Sequence, residues 1–119
     1  MGKLRHIAYR VNDPEAVAEF FVNGLGMTYV QQRSVAIDLT DGTINITLLP
    51  STEGHHGIDH IGFTVEREDA AQEQLLEAGA TQLTKLDLGN VNYEVKFQGP
   101  EGIVVDLGHW PGASPLKEA

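Results

Sequence analysis

The feature that most constrains this chain is a repeat. Arg5-His6-Ile7-Ala8-Tyr9-Arg10-Val11 and Asp59-His60-Ile61-Gly62-Phe63-Thr64-Val65 align without gaps. Histidine, isoleucine, a small residue, an aromatic ring and valine fall in matching places. The two histidines stand 54 residues apart (60 − 6), close to half of the 119-residue chain. A repeat at that spacing implies one supersecondary unit used twice. Both segments carry apolar residues at every second position, the period of a half-buried strand.

The residues after each segment match as well. Asp13-Pro14 supplies a capping side chain and a first-turn proline, the signature of a helix N-terminus. Val17, Phe20, Phe21 and Gly24 then share a helical face, and Gly24 or Gly26 ends the element. In the second half Glu68-Asp69 forms an acidic first turn that suits the helix dipole. Ala71, Leu75 and Ala78 make its apolar stripe, and Gly79 stops it. Three strand-like stretches come after each helix: 28–32, 35–39 and 44–49, then 81–86, 91–98 and 103–107. Asp41-Gly42 and Pro100-Glu101-Gly102 turn the chain between the last two of each set. The expected fold is α+β, with two βαβββ modules forming a curved, mixed eight-stranded sheet around an open cleft. It is read as a single domain: module one about 4–50, a linker about 50–57, module two about 58–109 and a tail over 110–119.

Composition sets the outer limits. Apolar residues at 41% suffice for a core without disulfides, and cysteine is absent, which removes thiolate chemistry and Cys-ligated zinc. Seventeen acidic against eight basic side chains give a charge of −9, which repels phosphate backbones and anionic membranes. Nucleic acid and membrane are therefore not expected partners. No secretory signal opens the sequence and no apolar run approaches a membrane span, so the expected location is the cytoplasm.

Side chains alternate across a strand. If Ile7, Tyr9 and Val11 lie beneath the first helix, then His6, Ala8 and Arg10 face the cleft. If Ile61, Phe63 and Val65 lie beneath the second, then His60, Gly62 and Thr64 do. Ile103, Val105 and Leu107 would cover the core, leaving Val104 and Asp106 in the cleft. The small residues two beyond each histidine leave room for something to bind. A lone acid in so apolar a strand carries a desolvation penalty unless it is paired or metal-bound. Two imidazoles and a carboxylate converging from three strands suit a six-coordinate divalent ion with open positions. The plainer reading is a duplicated fold that uses these groups for packing.

The paired His-Ile-small-aromatic strands, Gly24-Leu25-Gly26-Met27, and Gly99-Pro100-Glu101-Gly102-Ile103-Val104-Val105-Asp106-Leu107 together resemble the vicinal oxygen chelate superfamily. That superfamily includes glyoxalase I, extradiol dioxygenases, methylmalonyl-CoA epimerase, fosfomycin-modifying enzymes and bleomycin-resistance proteins. The likeness runs from Leu4 to His109. It implies metal ligands at the start of each half and on the last strand of each half: His6, His60 and Asp106, with Asp106 where the family usually has glutamate. The fourth place falls on Ile46 or Thr47, neither a carboxylate, which points away from glyoxalase I. The resemblance also implies a homodimer and a divalent metal (Fe, Mn, Zn or Ni) that binds a small-molecule substrate through adjacent oxygens and acts as a Lewis acid, or activates dioxygen if it is iron, in a lyase, isomerase or dioxygenase reaction. The competing class is a ligand-sequestering protein of the bleomycin-resistance type; a third is a structural partner domain.

Other residues are candidates with plainer alternatives. Arg10 would clamp a substrate carboxylate or make an edge salt bridge. Glu94 and Lys96 share a strand face and form a possible acid–base pair, with Glu94 the catalytic candidate; solvation is the alternative. Tyr93 shares the face of Val95 and Phe97, which reads as core, and its phenol is retained as a substrate-binding candidate. Trp110 would stack on substrate or sit at a subunit interface. His55 and His56 are expected to be exposed in the linker.

Overall fold

A computed structural model describes residues 2–33, 35–52, 54–87 and 93–116, with the backbone alone described at 84–87 and 93. The elements run β1 (Lys3–Val11), α1 (Pro14–Leu25), β2 (Thr28–Gln32), β3 (Ile37–Thr40), β4 (Asn45–Pro50), β5 (Gly57–Thr64), α2 (Glu68–Glu77), β6 (Thr81–Asp87), β7 (Tyr93–Gln98) and β8 (Val104–His109). A 3-10 turn at Pro100–Gly102 links β7 to β8. Each half is βαβββ.

All eight strands form one sheet in the order β2-β3-β4-β1-β5-β8-β7-β6. β1 and β5 pair antiparallel at its centre, and each runs parallel to the last strand of its own half, β4 or β8. The remaining pairs are antiparallel, so the sheet is mixed. The two halves are thus related by an approximate two-fold axis between β1 and β5. That axis brings the repeated histidine strands side by side.

Each helix covers one half of one face. Asp13 caps α1 by accepting from the Ala16 N–H at 3.1 Å, with Pro14 in the first turn. Gly26, at φ 73°, closes it: its N–H and that of Met27 donate to Val22 and Phe21 carbonyls. Val17, Phe21 and Val22 pack on a core of Val11, Ala18, Met27, Ile37, Leu39 and Leu48. The second core gathers Val95, Phe97 and Leu107 under Ala71 and Leu75.

Three expectations of the apolar stripes fail. Phe20 is 64% exposed, because the buried stripe of α1 runs through Val17, Ala18, Phe21 and Val22 instead. Ala78 is the exposed C-cap of α2, and Ala80 packs in its place. Ile103 is 55% exposed, since it belongs to the turn before β8; Val105 and Leu107 cover the core.

Candidate metal centre

The face of the sheet opposite the helices lines a cavity of about 470 Å³, within the range of small-ligand sites. His6, Arg10, Asp59, His60, Glu94, Lys96 and Trp110 form one side of its wall. Asn45, Thr47, Asp38, Gln31 and Arg33 form the other.

The structure brings His6, His60 and Asp106 together from β1, β5 and β8. One donor atom from each lies within 4.8 Å of the other two. His60 Nε2 is 3.2 Å from Asp106 Oδ2, and His6 Nε2 is 3.7 Å from Asp106 Oδ1. All three residues are buried. The cross-strand register explains the small residues beside the histidines: His6 pairs with Gly62 and Ala8 with His60. A Cβ on Gly62 would lie 2.2 Å from His6 Cε1. The space at Gly62 therefore holds the His6 ring itself, which corrects the expectation that it is left for a ligand.

Two bulges aim further groups at the site. Leu4 pairs with Phe63 and His6 with Gly62, leaving Arg5 as the extra residue of β1. Ala8 pairs with His60 and Tyr9 with Ile58, leaving Asp59 as the extra residue of β5. In a regular strand Asp59 and His60 would point to opposite faces. Bulged, Asp59 Oδ2 accepts from His60 Nδ1 at 2.6 Å, and its Oδ1 accepts from Arg10 Nε at 2.8 Å. Arg10 also donates to the Pro50 carbonyl at 2.9 Å. Arg10 thus lies on the cavity wall as expected, with Asp59 as its partner. Arg5 donates to the Trp110 carbonyl and lies 5.7 Å from that indole's centre.

Electrostatics suit neutral nitrogen donors. Burial, with the charge of His60 next, lowers His6 to about 3. Burial also lowers His60, against the hydrogen bond it donates to Asp59. Both imidazoles are thus uncharged near neutrality. Burial alone would raise Asp59, but hydrogen bonds from His60 and Arg10 outweigh it and hold the carboxyl low. That ionised carboxylate keeps the His60 proton on Nδ1 and leaves the Nε2 lone pair toward Asp106. Burial raises Asp106 to about 7, opposed by Lys96.

The donor set fits a divalent cation. Metal–nitrogen bonds of about 2.1 Å set neighbouring ligand atoms about 3–4 Å apart; each imidazole lies 3.2 or 3.7 Å from an oxygen of Asp106, one from Oδ2 and the other from Oδ1, and one donor atom from each residue lies within 4.8 Å of the other two. Asp106 Oδ1 is buried with no hydrogen-bond partner among the described residues, an acceptor left open for a cation. Lys96 Nζ meanwhile lies 3.0 Å from Asp106 Oδ2 and 3.4 Å from His60 Nε2.

The symmetry also identifies the residue that matches Asp106 in the first half. Asp106 pairs with Gly62, and 54 residues earlier Ala8 pairs with Thr47. Thr47, not Ile46, is the counterpart of Asp106, and Ile46 packs in the first core. Across the next pair, Lys96 opposes Asp106 as Asp38 opposes Thr47. The first half thus carries its carboxylate one strand farther out, where Asp38 accepts from Thr47, Gln31 and Arg33.

Other candidates find their places. Glu94 lines the cavity, with its Oε2 3.4 Å from the Trp110 indole nitrogen and 3.8 Å from Lys96 Nζ. Trp110 meets the His6 ring edge-on at 4.4 Å, so it walls the site from inside the chain. Asn45 latches the segment behind it, bonding Ala113 through both amide atoms at 2.8 and 2.9 Å. The Tyr93 side chain lies outside the described residues. His55 and His56 are exposed, away from the site's wall. Sequence reasoning missed Asp59, Asp38 and Asn45. The acid beside His60 was visible, but the bulge that turns it inward has no local signal.

A duplicated βαβββ sheet with two imidazoles and a carboxylate meeting in an open cleft defines a class: two-module folds with a chelating cleft. The family model for the Glyoxalase/Bleomycin resistance protein/Dioxygenase superfamily matches residues 3–107, and the chain belongs to that superfamily. No curated protein sequence matches it. Solved structures share the fold. Hypothetical protein BH1468 from Bacillus halodurans C-125 is 17% identical, with a TM-score of 0.75, covering 97% of this chain and 99% of its own. Streptomyces coelicolor methylmalonyl-CoA epimerase, solved with 2-nitronate-propionyl-CoA, is 18% identical, with a TM-score of 0.72 and coverages of 89% and 95%. The Mn(II)-bound glyoxalase from Novosphingobium aromaticivorans is 19% identical, with a TM-score of 0.75; the match covers 98% of this chain and 42% of that one. Among the described residues no helix is long and apolar enough to cross a membrane.

Proposed function

We propose that the chain is a metal-dependent enzyme of its superfamily, acting on a small substrate that presents adjacent oxygens to a divalent ion. His6, His60 and Asp106 would hold that ion. When bound, it would supply Lewis-acid polarisation of the substrate oxygens. The observation that carries the reading is the convergence of three buried donors, His6 and His60 on the cavity wall and Asp106 behind them, with Asp106 Oδ1 lacking a hydrogen-bond partner among the described residues. Fe(II), Mn(II), Zn(II) and Ni(II) all accept such a set.

The chain's own residues do the rest. Asp59, steadied by Arg10, fixes the ring of His60 and its tautomer. Trp110 covers one side of His6 and excludes water there. Glu94, on the cavity wall beside the indole N–H, would be the carboxylate that accepts a proton from bound substrate. Nothing in the site favours sequestration of a cationic ligand, because Arg10, Arg33 and Lys96 share the wall with the acids.

Elemental analysis tests the reading. Native protein is expected to carry about one divalent ion per chain, and the combined His6→Ala, His60→Ala, Asp106→Ala variant none. Equal metal content in the two, or none in native protein after supplementation, overturns it.

A further inference from the structure

The metal reading leaves one group unexplained, a lysine inside the donor set. Lys96 stands on β7 directly across from Asp106 on β8. Its Nζ lies 3.0 Å from Asp106 Oδ2 and 3.4 Å from His60 Nε2. Those two acceptors are themselves 3.2 Å apart, so the three atoms form a nearly equilateral triangle. Glu94 Oε2 stands 3.8 Å from the same ammonium. The Lys96 side chain is only 20% exposed, and Asp106 is wholly buried. This is a seated cation rather than a solvated surface lysine.

The acceptors it uses are the ones a metal needs. His60 Nδ1 is committed to Asp59, so Nε2 offers the ring's only lone pair. Asp106 Oδ2 is the oxygen nearer that nitrogen. An ammonium hydrogen and a divalent ion cannot share one imidazole lone pair, and two cations in so small a space repel.

Resting on the metal reading above, we propose that Lys96 is a built-in competitor for the metal. Its ammonium holds Asp106 and His60 until a divalent cation displaces it, and the displaced ammonium then faces the cavity. The lysine keeps Asp106 from standing as an uncompensated buried charge in the metal-free protein. It also lowers the apparent metal affinity by the work of moving it.

Lys96→Met keeps most of the stem and removes the charge. In Mn(II) titrations followed by electron paramagnetic resonance of the free ion, Lys96→Met is expected to bind at least about tenfold more tightly than wild type, and Lys96→Arg no more tightly than wild type. The emission of Trp110, the one tryptophan of the chain, reports the same event next to His6. Unchanged or weaker Mn(II) binding by Lys96→Met, with wild type binding, overturns the competition and leaves the metal reading standing. No binding by either protein removes the metal reading and the competition together.

A measurement on wild type guards against misfolding of the variant. Acetylation of Lys96, read by mass spectrometry against Lys3 as internal reference, is expected to speed up when Mn(II) is added. A slower reaction at Lys96 overturns the displacement.

Discussion

Gly62→Ala is the sharpest test of how the site is assembled. The added methyl would stand 2.2 Å from His6 Cε1, 2.4 Å from Nδ1 and 2.7 Å from Nε2. Carbon atoms settle at about 3.5 Å or more, so the ring must retreat by about 1.3 Å (3.5 − 2.2) or rotate away. The Gly62 backbone is not in the left-handed region, so alanine meets no strain of its own there. The three nearest atoms the methyl would meet all belong to the His6 ring. A ligand displaced by that much loses metal affinity at least as badly as one deprived of its supporting hydrogen bond, about 10–100-fold. Mn(II) titration of Gly62→Ala is expected to show that loss, with a changed Trp110 emission, because the indole lies against the ring being moved. Gly24→Ala is the control. Nothing lies within 4 Å of its added methyl, and in α1 it should raise stability by about 0.5–1 kcal/mol without touching metal binding. A thermodynamic cycle with His6→Ala isolates the clash, since the methyl should cost nothing once the ring is gone. A folded Gly62→Ala protein with wild-type Mn(II) affinity would refute the reasoning.

Asp59→Asn should weaken Mn(II) binding about 10–100-fold with little change in melting temperature, because it loosens His60 without removing a ligand; equal affinity would remove Asp59 from the site. Asn45→Ala should lower stability by about 1–3 kcal/mol, by leaving the Ala113 and Arg5 carbonyls short of a donor, and shift Trp110 emission to the red; denaturation and fluorescence check both. Asp41 accepts from the Ile44 N–H, the Thr43 hydroxyl and the Thr43 N–H in the β3–β4 turn, and those bonds lower its carboxyl from 3.8 to about 2. A depressed carboxyl stabilises the fold fully above the unfolded value and loses that contribution as pH falls through the folded one. Melting curves of wild type and Asp41→Asn should therefore differ at pH 7 and converge as pH drops from about 4 to about 2.

The repeat made most of this fold legible because duplication ties two weak local signals into one strong one. His6 and His60 each carry little information singly; at matching places in a βαβββ unit they imply a shared axis. Strand periodicity then put both on the cleft face, and Asp106 with them. Periodicity failed where the period breaks. Arg5 and Asp59 are the extra residues of two bulges, and a bulge is set by the partner strand's register, which no local pattern carries. It failed again at Phe20 and Ile103, where one helix face or strand end was extended a residue too far. The most instructive error concerns Ala8 and Gly62. Small residues beside a histidine suggest vacant room, yet here each faces the opposite half's imidazole across the β1–β5 pair. The same two-fold axis that duplicated the histidines requires the small residues, because each half must leave space for the ring of the other. Gly62 and Ala8 are therefore as much a part of the packing around His6 and His60 as the histidines themselves, and the asymmetry between the halves becomes the informative feature. Asp106 and Lys96 in one half answer to Thr47 and Asp38 in the other, so only one half presents an acid at the axis beside a lysine. That single substitution pattern turns a symmetric scaffold into a one-sided site.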